Sequence, residues 1–209
     1  MVNFLIIIFI VSLLYLAKIE TFSRYIFILG FQGLLLFGIA LFELKHFDIP
    51  HLILILTETL IFKAIFVPAF LKKLSLRSNV RRSHKGLLPP NASIVIALAI
   101  IVISFTIGHN LHDEHLEIKY FTGAISALAI GLYLVINNRD ILTHLIAYLI
   151  IENGIFLLSI ALGNEMPMFV NAAILLDIFS SVLIMGIFFN KVHDFFDDTN
   201  TDQLSTLKD

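Results

Sequence analysis

Two carboxylates, Glu152 and Asp177, lie in the middle of consecutive apolar runs that are long enough to cross a bilayer. The segment between the runs, Gly163 to Pro167, is too short for anything but an antiparallel hairpin. Glu152 lies eleven residues before Gly163 and Asp177 lies ten residues after Pro167, so a rise of ~1.5 Å per residue places both near the bilayer midplane. A charged side chain at that depth costs on the order of 3 kcal/mol.

The chemistry open to two such carboxylates is the uptake and release of protons. Burial in a medium of low dielectric constant favours the neutral form of a carboxyl group, and a like-charged neighbour favours it further. Each group could therefore exchange a proton near neutral pH, and the two are predicted to lie on a proton path across the bilayer. The alternative is that they are neutral acids that hydrogen-bond helices together, a role in which Ser, Thr, Asn and Gln are more usual.

A glutamate and a lysine, Glu58 and Lys63, lie in the third apolar run. Five residues correspond to about 140° around an α-helix, so the two side chains are expected to meet partners on other helices or other chains. Lys63 is a candidate proton carrier or charge modulator, and a structural ion pair is the alternative. Glu58 is either a further proton site or an interfacial residue about two turns from the outer end of its run.

One stripe of the sixth apolar run carries His144, Tyr148 and Glu152 at a spacing of four residues. The stripe could pass a proton between Glu152 and the end of the run at which His144 lies. Interfacial His and Tyr side chains at the level of the lipid head groups are the alternative. Ser181 follows Asp177 by one turn and could hydrogen-bond it, and Gln32 in the second run is another polar group at mid-membrane depth.

Three histidines spaced by three residues, His109, His112 and His115, raise the question of a metal site. Nothing else in the sequence supports one, so solvated side chains in an outer loop are the favoured interpretation. The chain contains no cysteine, which excludes disulfides, thiolate zinc sites and cysteine-ligated iron–sulfur clusters within it. No nucleophile–base arrangement or phosphate-binding glycine loop is found, so the sequence predicts no catalytic residue, cofactor or metal in the chain itself.

The composition predicts an all-α polytopic membrane protein. Hydrophobic residues make up 58% of the chain and charged residues 14%, and the apolar runs are continuous over about 20 residues, the length that spans a hydrocarbon core. About seven transmembrane helices are predicted, at residues 2–17, 23–43, 51–71, 91–108, 119–136, 141–162 and 168–190. The first run has no basic residue before it and no small-residue cleavage site after it, so it is predicted to be a retained helix.

The charges of the loops predict an orientation. The loop after the third run carries basic residues and no acid: Lys72, Lys73, Arg77, Arg81, Arg82 and Lys85. By the positive-inside rule this loop is cytoplasmic, and the acidic loop at 109–117 faces outward. The chain is therefore expected to be a multi-pass protein of the cell inner (cytoplasmic) membrane, with its N-terminus outside and its C-terminus inside.

An internal alignment predicts a duplication. Residues 32–41 align without a gap with residues 153–162, and Phe31 stands where the second copy has Glu152. Two parallel three-helix repeats joined by an extra helix would explain the match. The predicted division is a three-helix repeat at 1–72, a basic cytoplasmic loop at 73–90, a linking helix and outer loop at 91–118, a second three-helix unit at 119–190 and an acidic tail at 191–209.

Five stretches carry a resemblance to a known family: Phe31-Gln32-Gly33, Lys63 with Pro68, Ile151 to Leu157, Leu175 to Asp177, and Val182 to Gly186. They resemble component E of hydrogenase-4, a membrane subunit of energy-converting hydrogenases and related complexes. The motif Glu152-Asn153-Gly154 is the most specific part. The C-terminal half is similar to the K-type subunit of respiratory complex I, and the resemblance as a whole covers nearly the entire chain.

This resemblance implies a place in a larger membrane arm. In K-type subunits two acidic residues on consecutive helices contribute to a polar axis, and the matching positions here are Glu152 and Asp177. K-type subunits usually carry glutamate at the second position and have three helices, so Asp177 and the first four runs depart from the pattern. The implied partners are antiporter-like proton-pumping subunits, other membrane-arm subunits, and redox subunits that hold iron–sulfur clusters with a nickel-iron site or a quinone.

The resulting hypothesis is a non-catalytic membrane-arm subunit of a redox-driven proton-translocating complex, surrounded by bilayer lipid and without a nucleic-acid partner. A subunit of a cation/proton antiporter is one alternative, which predicts sodium-dependent proton movement without a redox partner. A purely structural scaffold between pumping subunits is another. It predicts that substitution of the buried acids lowers the yield of the complex instead of its pumping.

Overall fold

The structure is a computed structural model that describes residues 2–43, 53, 57–77, 86–111, 117–161 and 186. All elements in these ranges are helices: α1 (Val2–Leu16), α2 (Phe22–Glu43), a π-helix (Glu58–Phe66) continued by α3 (Val67–Arg77), α4 (Pro90–Asn110), α5 (Ile118–Asn137) and α6 (Ile141–Ala161). Helices α2, α4, α5 and α6 are long and apolar enough to cross a membrane, and α1 is a shorter apolar helix. The prediction of an all-α membrane protein is therefore confirmed in the described residues, which contain four candidate spans. The number of seven spans stays a prediction.

Five predicted runs coincide with α1, α2, α4, α5 and α6 to within two residues at each end. The third run differs, because the described helix continues to Arg77 instead of ending at residue 71. Lys72 and Lys73 are exposed on this extension, so the helix carries its basic residues beyond the apolar part. The seventh run lies outside the described residues apart from Gly186, which is helical.

Local sequence explains where two of the helices begin. Pro90 starts α4, a position at which the missing N–H of proline has no cost. The Asp140 carboxylate accepts a hydrogen bond of 3.2 Å from the Thr143 backbone N–H and so caps the start of α6. The connection between α5 and α6 is residues 138–140 alone, which makes these two helices an antiparallel hairpin.

Small residues bring α5 and α6 close together. Ala127 and Gly131 lie one turn apart on α5, a spacing that lets helix backbones approach each other in membranes. A Cβ atom on Gly131 would lie 3.0 Å from the Ala147 carbonyl oxygen, and one on Gly154 would lie 3.0 Å from the Ala124 carbonyl oxygen. This close packing against α5 fixes the part of α6 that carries the Glu152-Asn153-Gly154 motif.

Helix α2 lies at the centre of the described bundle, where it packs against α1, the π-helix, α3 and α6. Helix α1 also packs against α5. The first two helices of the chain therefore contact the helices that the repeat prediction makes their counterparts. Contacts between equivalent elements are what a two-fold arrangement of two parallel copies would produce, although the duplication itself stays a prediction.

The outer surface of the bundle is apolar, as expected for helices that face lipid. Phe4, Phe27 and Ile136 are each more than 60% exposed. Exposed basic residues collect at one end of the bundle, here called the basic end: Lys18, Arg24, Lys72, Lys73 and Arg139.

Candidate functional site: a buried charge pair

A lysine and a glutamate form an ion pair inside the bundle. Lys63 Nζ lies 3.1 Å from Glu152 Oε1, and the two residues are 8% and 5% exposed. Glu152 is the twelfth of the 21 residues of α6, so the pair lies near mid-depth of a helix that is long enough to cross a bilayer. These two residues are called the charge pair below.

An aromatic ring completes the surroundings of the lysine. The Lys63 ammonium lies 5.2 Å from the centre of the Phe156 ring, one turn beyond Glu152 on α6. The negative face of an aromatic ring attracts a cation. The carboxylate and the aromatic ring therefore both lie within contact distance of the Lys63 ammonium group.

The π-helix positions Lys63. In such a helix the backbone hydrogen bonds join residue i to residue i+5, which is the spacing of Glu58 and Lys63. The sequence prediction had assumed an α-helix, in which these two residues would be about 140° apart. That premise is wrong for this segment, because all residues from Glu58 to Phe66 are π-helical. The expectation of a partner on another helix holds for Lys63, and Glu152 is that partner.

Gly33 of α2 lets the π-helix come close. A Cβ atom on Gly33 would lie 2.7 Å from the Ala64 nitrogen and 2.8 Å from the Lys63 carbonyl carbon. Both are main-chain atoms, which no side-chain rotation can move away. The missing side chain at position 33 therefore sets the distance between α2 and the backbone that carries Lys63.

A second buried set, the polar triad of Ser12, Gln32 and Asn153, joins α1, α2 and α6. The Ser12 hydroxyl donates to the Phe9 carbonyl oxygen at 2.6 Å, and its oxygen accepts from Gln32 Nε2 at 2.9 Å. Gln32 Oε1 accepts from Asn153 Nδ2 at 3.3 Å. The carbonyl group at one end can only accept, so it fixes the direction of all three hydrogen bonds.

The polar triad supports the part of α6 that holds the charge pair. Its three residues are at most 5% exposed, and Asn153 directly follows Glu152 in the sequence. Gln32 and Asn153 are also the first pair of aligned residues in the predicted internal repeats. Ser12 was not among the predicted residues, since a single serine in an apolar run carries no signal by itself.

We expect Gln32→Met to lower the free energy of unfolding by about 1 to 2 kcal/mol, because it leaves the Asn153 amide and the Ser12 oxygen without this partner. Titration of the purified chain with SDS in mixed micelles measures the change. Ser104→Ala is the matched control. Among the described residues its buried hydroxyl bonds to the Ile100 carbonyl of its own helix, at 2.8 Å, and we expect the substitution to change stability by less than about 0.5 kcal/mol. Equal stability of Gln32→Met and the unaltered chain would show that the triad does not hold the helices together.

His144 and Tyr148 continue the Glu152 stripe toward the basic end. His144 Nε2 lies 2.8 Å from the Asn138 carbonyl oxygen. Because a carbonyl oxygen only accepts, Nε2 carries the hydrogen, and Nδ1 is the atom of the neutral ring that can take up a proton. Tyr148 is 37% exposed and so lies at the edge of the described bundle.

The structure describes only some of the remaining predicted residues. His109 is exposed in the last turn of α4, with its ring stacked on Phe105. His112, His115, Asp177 and Ser181 lie outside the described residues. Within the ranges that the structure describes, no three His, Asp or Glu side chains converge in a way that could hold a metal ion. Glu58 is the first residue of the π-helix.

These features define a helical membrane protein with a buried charge pair near mid-depth. No family model and no solved structure matches the chain. The uncharacterized protein Rv0085 of Mycobacterium tuberculosis is 23% identical to it over 186 residues, which cover 87% of this chain and 84% of that protein. The two proteins are therefore similar along most of their length, and the resemblance to hydrogenase-4 component E stays a prediction.

Proposed function

We propose that the chain is a proton-translocating membrane subunit in which the charge pair takes up and releases protons. The 3.1 Å contact between Lys63 and Glu152 near mid-depth carries this proposal. Hydrophobic residues of similar volume stabilise a protein interior as well as a buried ion pair does, and often better. Two ionisable groups at this position are therefore better explained by their proton chemistry than by stability alone.

The geometry supports a cycle of three steps. In the first step a proton reaches Glu152 and neutralises the carboxylate that lies 3.1 Å from Lys63. In the second step the Lys63 ammonium group releases a proton. Loss of the lysine proton toward the opposite side of the membrane from the one that supplied Glu152 leaves a neutral carboxyl and a neutral amine in contact. Transfer of the proton from Glu152 to Lys63 then restores the charge pair, so that one proton has entered at the carboxylate and one has left from the lysine.

The proposed setting is a redox-driven complex of the inner membrane. The motif Glu152-Asn153-Gly154 supports it, through its resemblance to component E of hydrogenase-4. Because the chain has no cysteine, iron–sulfur clusters, a nickel-iron site or a quinone would be held by partner subunits, next to antiporter-like pumping subunits. The basic end would face the cytoplasm, with the N-terminus outside.

A scaffold between pumping subunits is the second candidate. The observation that favours it is the polar triad, which ties three helices together at the depth of the charge pair. The two functions predict different consequences of neutralising Glu152. Loss of proton movement by an intact complex follows from the first, and loss of the complex itself follows from the second.

The test uses the complex that co-purifies with the tagged chain, reconstituted into liposomes that contain a pH-sensitive dye. We expect Glu152→Gln to lower proton translocation per assembled complex at least tenfold. Because the substitution also breaks the buried ion pair with Lys63 from one side, translocation is compared at equal amounts of assembled complex. Glu117→Gln is the matched control, because it makes the same change in an exposed ion pair with Lys119, at 3.3 Å, and we expect it to translocate normally.

Normal translocation by Glu152→Gln would refute the proposed function. A lower yield of complex with normal translocation per complex would favour the scaffold. Sodium-dependent proton movement by a complex without redox subunits would move the chain to a cation/proton antiporter.

A further inference from the structure

A cavity of about 420 Å³ lies at the basic end of the bundle. Its wall is built from the connection between α1 and α2, the start of α2, the segment that leads into α4, and the end of α5. The polar residues in this wall are Lys18, Glu20, Tyr25, Ser93, Asn137 and Asn138. At the ~30 Å³ that a molecule of liquid water takes, the cavity has room for on the order of ten waters.

The cavity reaches about one turn into the helices and is partly open. Ser93 is the fourth residue of α4, so the cavity extends ~5 Å along that helix. Lys18 and Glu20 are exposed at its rim. Six polar side chains in the wall, two of them charged and at the rim, favour water in a cavity that is partly open.

Asn137 holds one wall of the cavity in place. Its side-chain oxygen accepts a hydrogen bond from the Leu88 N–H at 3.0 Å, and its carbonyl oxygen accepts one from the Leu87 N–H at 2.8 Å. Tyr133 donates to the Ser93 hydroxyl at 2.8 Å and ties α5 to α4. These hydrogen bonds fix the segment before α4 to the end of α5, so the shape of the cavity wall is set by the fold.

Asn138 connects the cavity to the stripe of the charge pair. It lines the cavity, and its carbonyl oxygen accepts the hydrogen bond from His144 Nε2 at 2.8 Å. Glu152 lies eight residues further along α6, ~12 Å at 1.5 Å per residue, with Tyr148 halfway between. His144 is therefore the ionisable side chain of this stripe that lies next to the cavity.

We propose that this cavity, here called the vestibule, is filled with water and open to the cytoplasm, and that His144 passes protons between it and Glu152. The relay rests on the proposed function of the charge pair, whereas the hydration of the vestibule does not. A proton taken up at Nδ1 of His144 makes an imidazolium, and its release toward Tyr148 and Glu152 returns the neutral ring. No bond other than those to the proton changes.

The absence of cysteine allows a direct test of the vestibule. Ser93→Cys places a thiol in its wall, at a residue that is 1% exposed, and Ala97→Cys places one a turn deeper on the same helix, at a residue that is 0% exposed and lies outside the wall. Each variant of the tagged chain, in its complex in native membrane vesicles, is treated with a charged, membrane-impermeant methanethiosulfonate reagent. The mass of the tagged chain is then followed with time.

We expect Ser93→Cys to react at least tenfold faster than Ala97→Cys in inverted vesicles, which expose the cytoplasmic face. In right-side-out vesicles we expect no difference between the two. Ala17→Cys, in another part of the wall, provides a second thiol should Ser93→Cys fail to assemble. Equal rates for the wall variants and Ala97→Cys in inverted vesicles would show that the vestibule is dry. Faster reaction of the wall variants in right-side-out vesicles alone would show that the vestibule opens to the outer face.

A second measurement tests His144. The amide of His144→Gln can still donate to the Asn138 carbonyl but cannot take up a proton in the pH range of cells. We expect it to lower proton translocation by the reconstituted complex at least fivefold, with unchanged complex yield and unchanged thiol reactivity at Ser93→Cys. His109→Gln, an exposed histidine at the opposite end, is the control and should translocate normally.

The two proposals fail in different ways. Normal translocation by His144→Gln together with loss in Glu152→Gln would overturn the relay and leave the proposed function standing. Normal translocation by Glu152→Gln would overturn the proposed function and the relay with it, while the thiol reactions would still decide whether the vestibule holds water.

Discussion

Replacement of Lys63 by methionine is expected to lower the free energy of unfolding by about 3 kcal/mol. The substitution removes the ammonium group 3.1 Å from Glu152 and leaves a carboxylate of 5% exposure without this counter-charge. Breaking a buried ion pair from one side costs about 3–5 kcal/mol, because the remaining charge stays desolvated. SDS titration of the purified chain measures the change.

The double variant Lys63→Met, Glu152→Gln is the informative comparison. It removes both charges of the pair, so we expect it to unfold within about 1 kcal/mol of the unaltered chain. Lys119→Met removes the lysine of the exposed Glu117–Lys119 pair, and we expect that control to change stability by less than about 0.5 kcal/mol. If the double variant instead loses the sum of the two single losses, Lys63 and Glu152 are not energetically coupled.

This series also separates folding from transport. A double variant that is as stable as the unaltered chain but translocates no protons would assign the charge pair to proton chemistry alone. A double variant that translocates normally would contradict the proposed function, whatever its stability.

The second large effect is expected at Gly33, where we predict that Gly33→Ala lowers the free energy of unfolding by about 3 kcal/mol. The new methyl carbon would lie 2.7 Å from the Ala64 nitrogen, and ordinary contact begins at 3.4 Å. The π-helix must therefore move away from α2. Since Lys63 directly precedes Ala64, the same movement displaces the charge pair, and proton translocation should fall as well.

Gly38→Ala is the matched control on the same helix. Its methyl carbon would meet Leu5 Cδ1 at 3.2 Å, the end of a flexible side chain that can turn aside. The gain in helix propensity from glycine to alanine, up to about 1 kcal/mol, offsets this contact. We expect unchanged or slightly higher stability, and an equal loss at both glycines would mean that the approach of the π-helix is not the cause.

The sequence predicted the positions of the described helices well where apolar runs end at strong signals. Helix α4 begins at the Pro89-Pro90 pair, and α6 begins directly after the Asp140 cap. The third run was placed less well, because a helix can continue into water on basic residues such as Lys72 and Lys73. Hydrophobicity alone does not show where such a helix stops.

The two residues of the charge pair were predicted, but their contact with each other was not. Lys63 and Glu152 were both chosen for their depth in apolar runs, and pairing across helices depends on how the runs pack. The π-helical geometry at Lys63 could not be predicted either, since nothing in the residues from Glu58 to Phe66 specifies i to i+5 hydrogen bonds. The close approach at Gly33 is a tertiary contact.

The contact between Ser12 and Gln32 could have been predicted from their spacing, although Ser12 alone gives no signal. Ser12 and Gln32 lie ten residues on either side of Phe22, close to the connection between α1 and α2. The same count that placed Glu152 and Asp177 at one depth would have placed these two residues opposite each other. The vestibule had no such signal, because its wall combines three separate stretches of the chain, within residues 17–25, 86–93 and 134–138.

The direction of the hydrogen bonds in the polar triad has an electrical consequence. The bonds run from Asn153 through Gln32 and Ser12 to the Phe9 carbonyl oxygen, and neither amide takes up or releases a proton in the pH range of cells. The triad therefore offers hydrogen bonds next to Glu152 but no group that can carry a proton away from it in that direction. If the proposed function holds, the triad blocks proton leakage on this side of the charge pair.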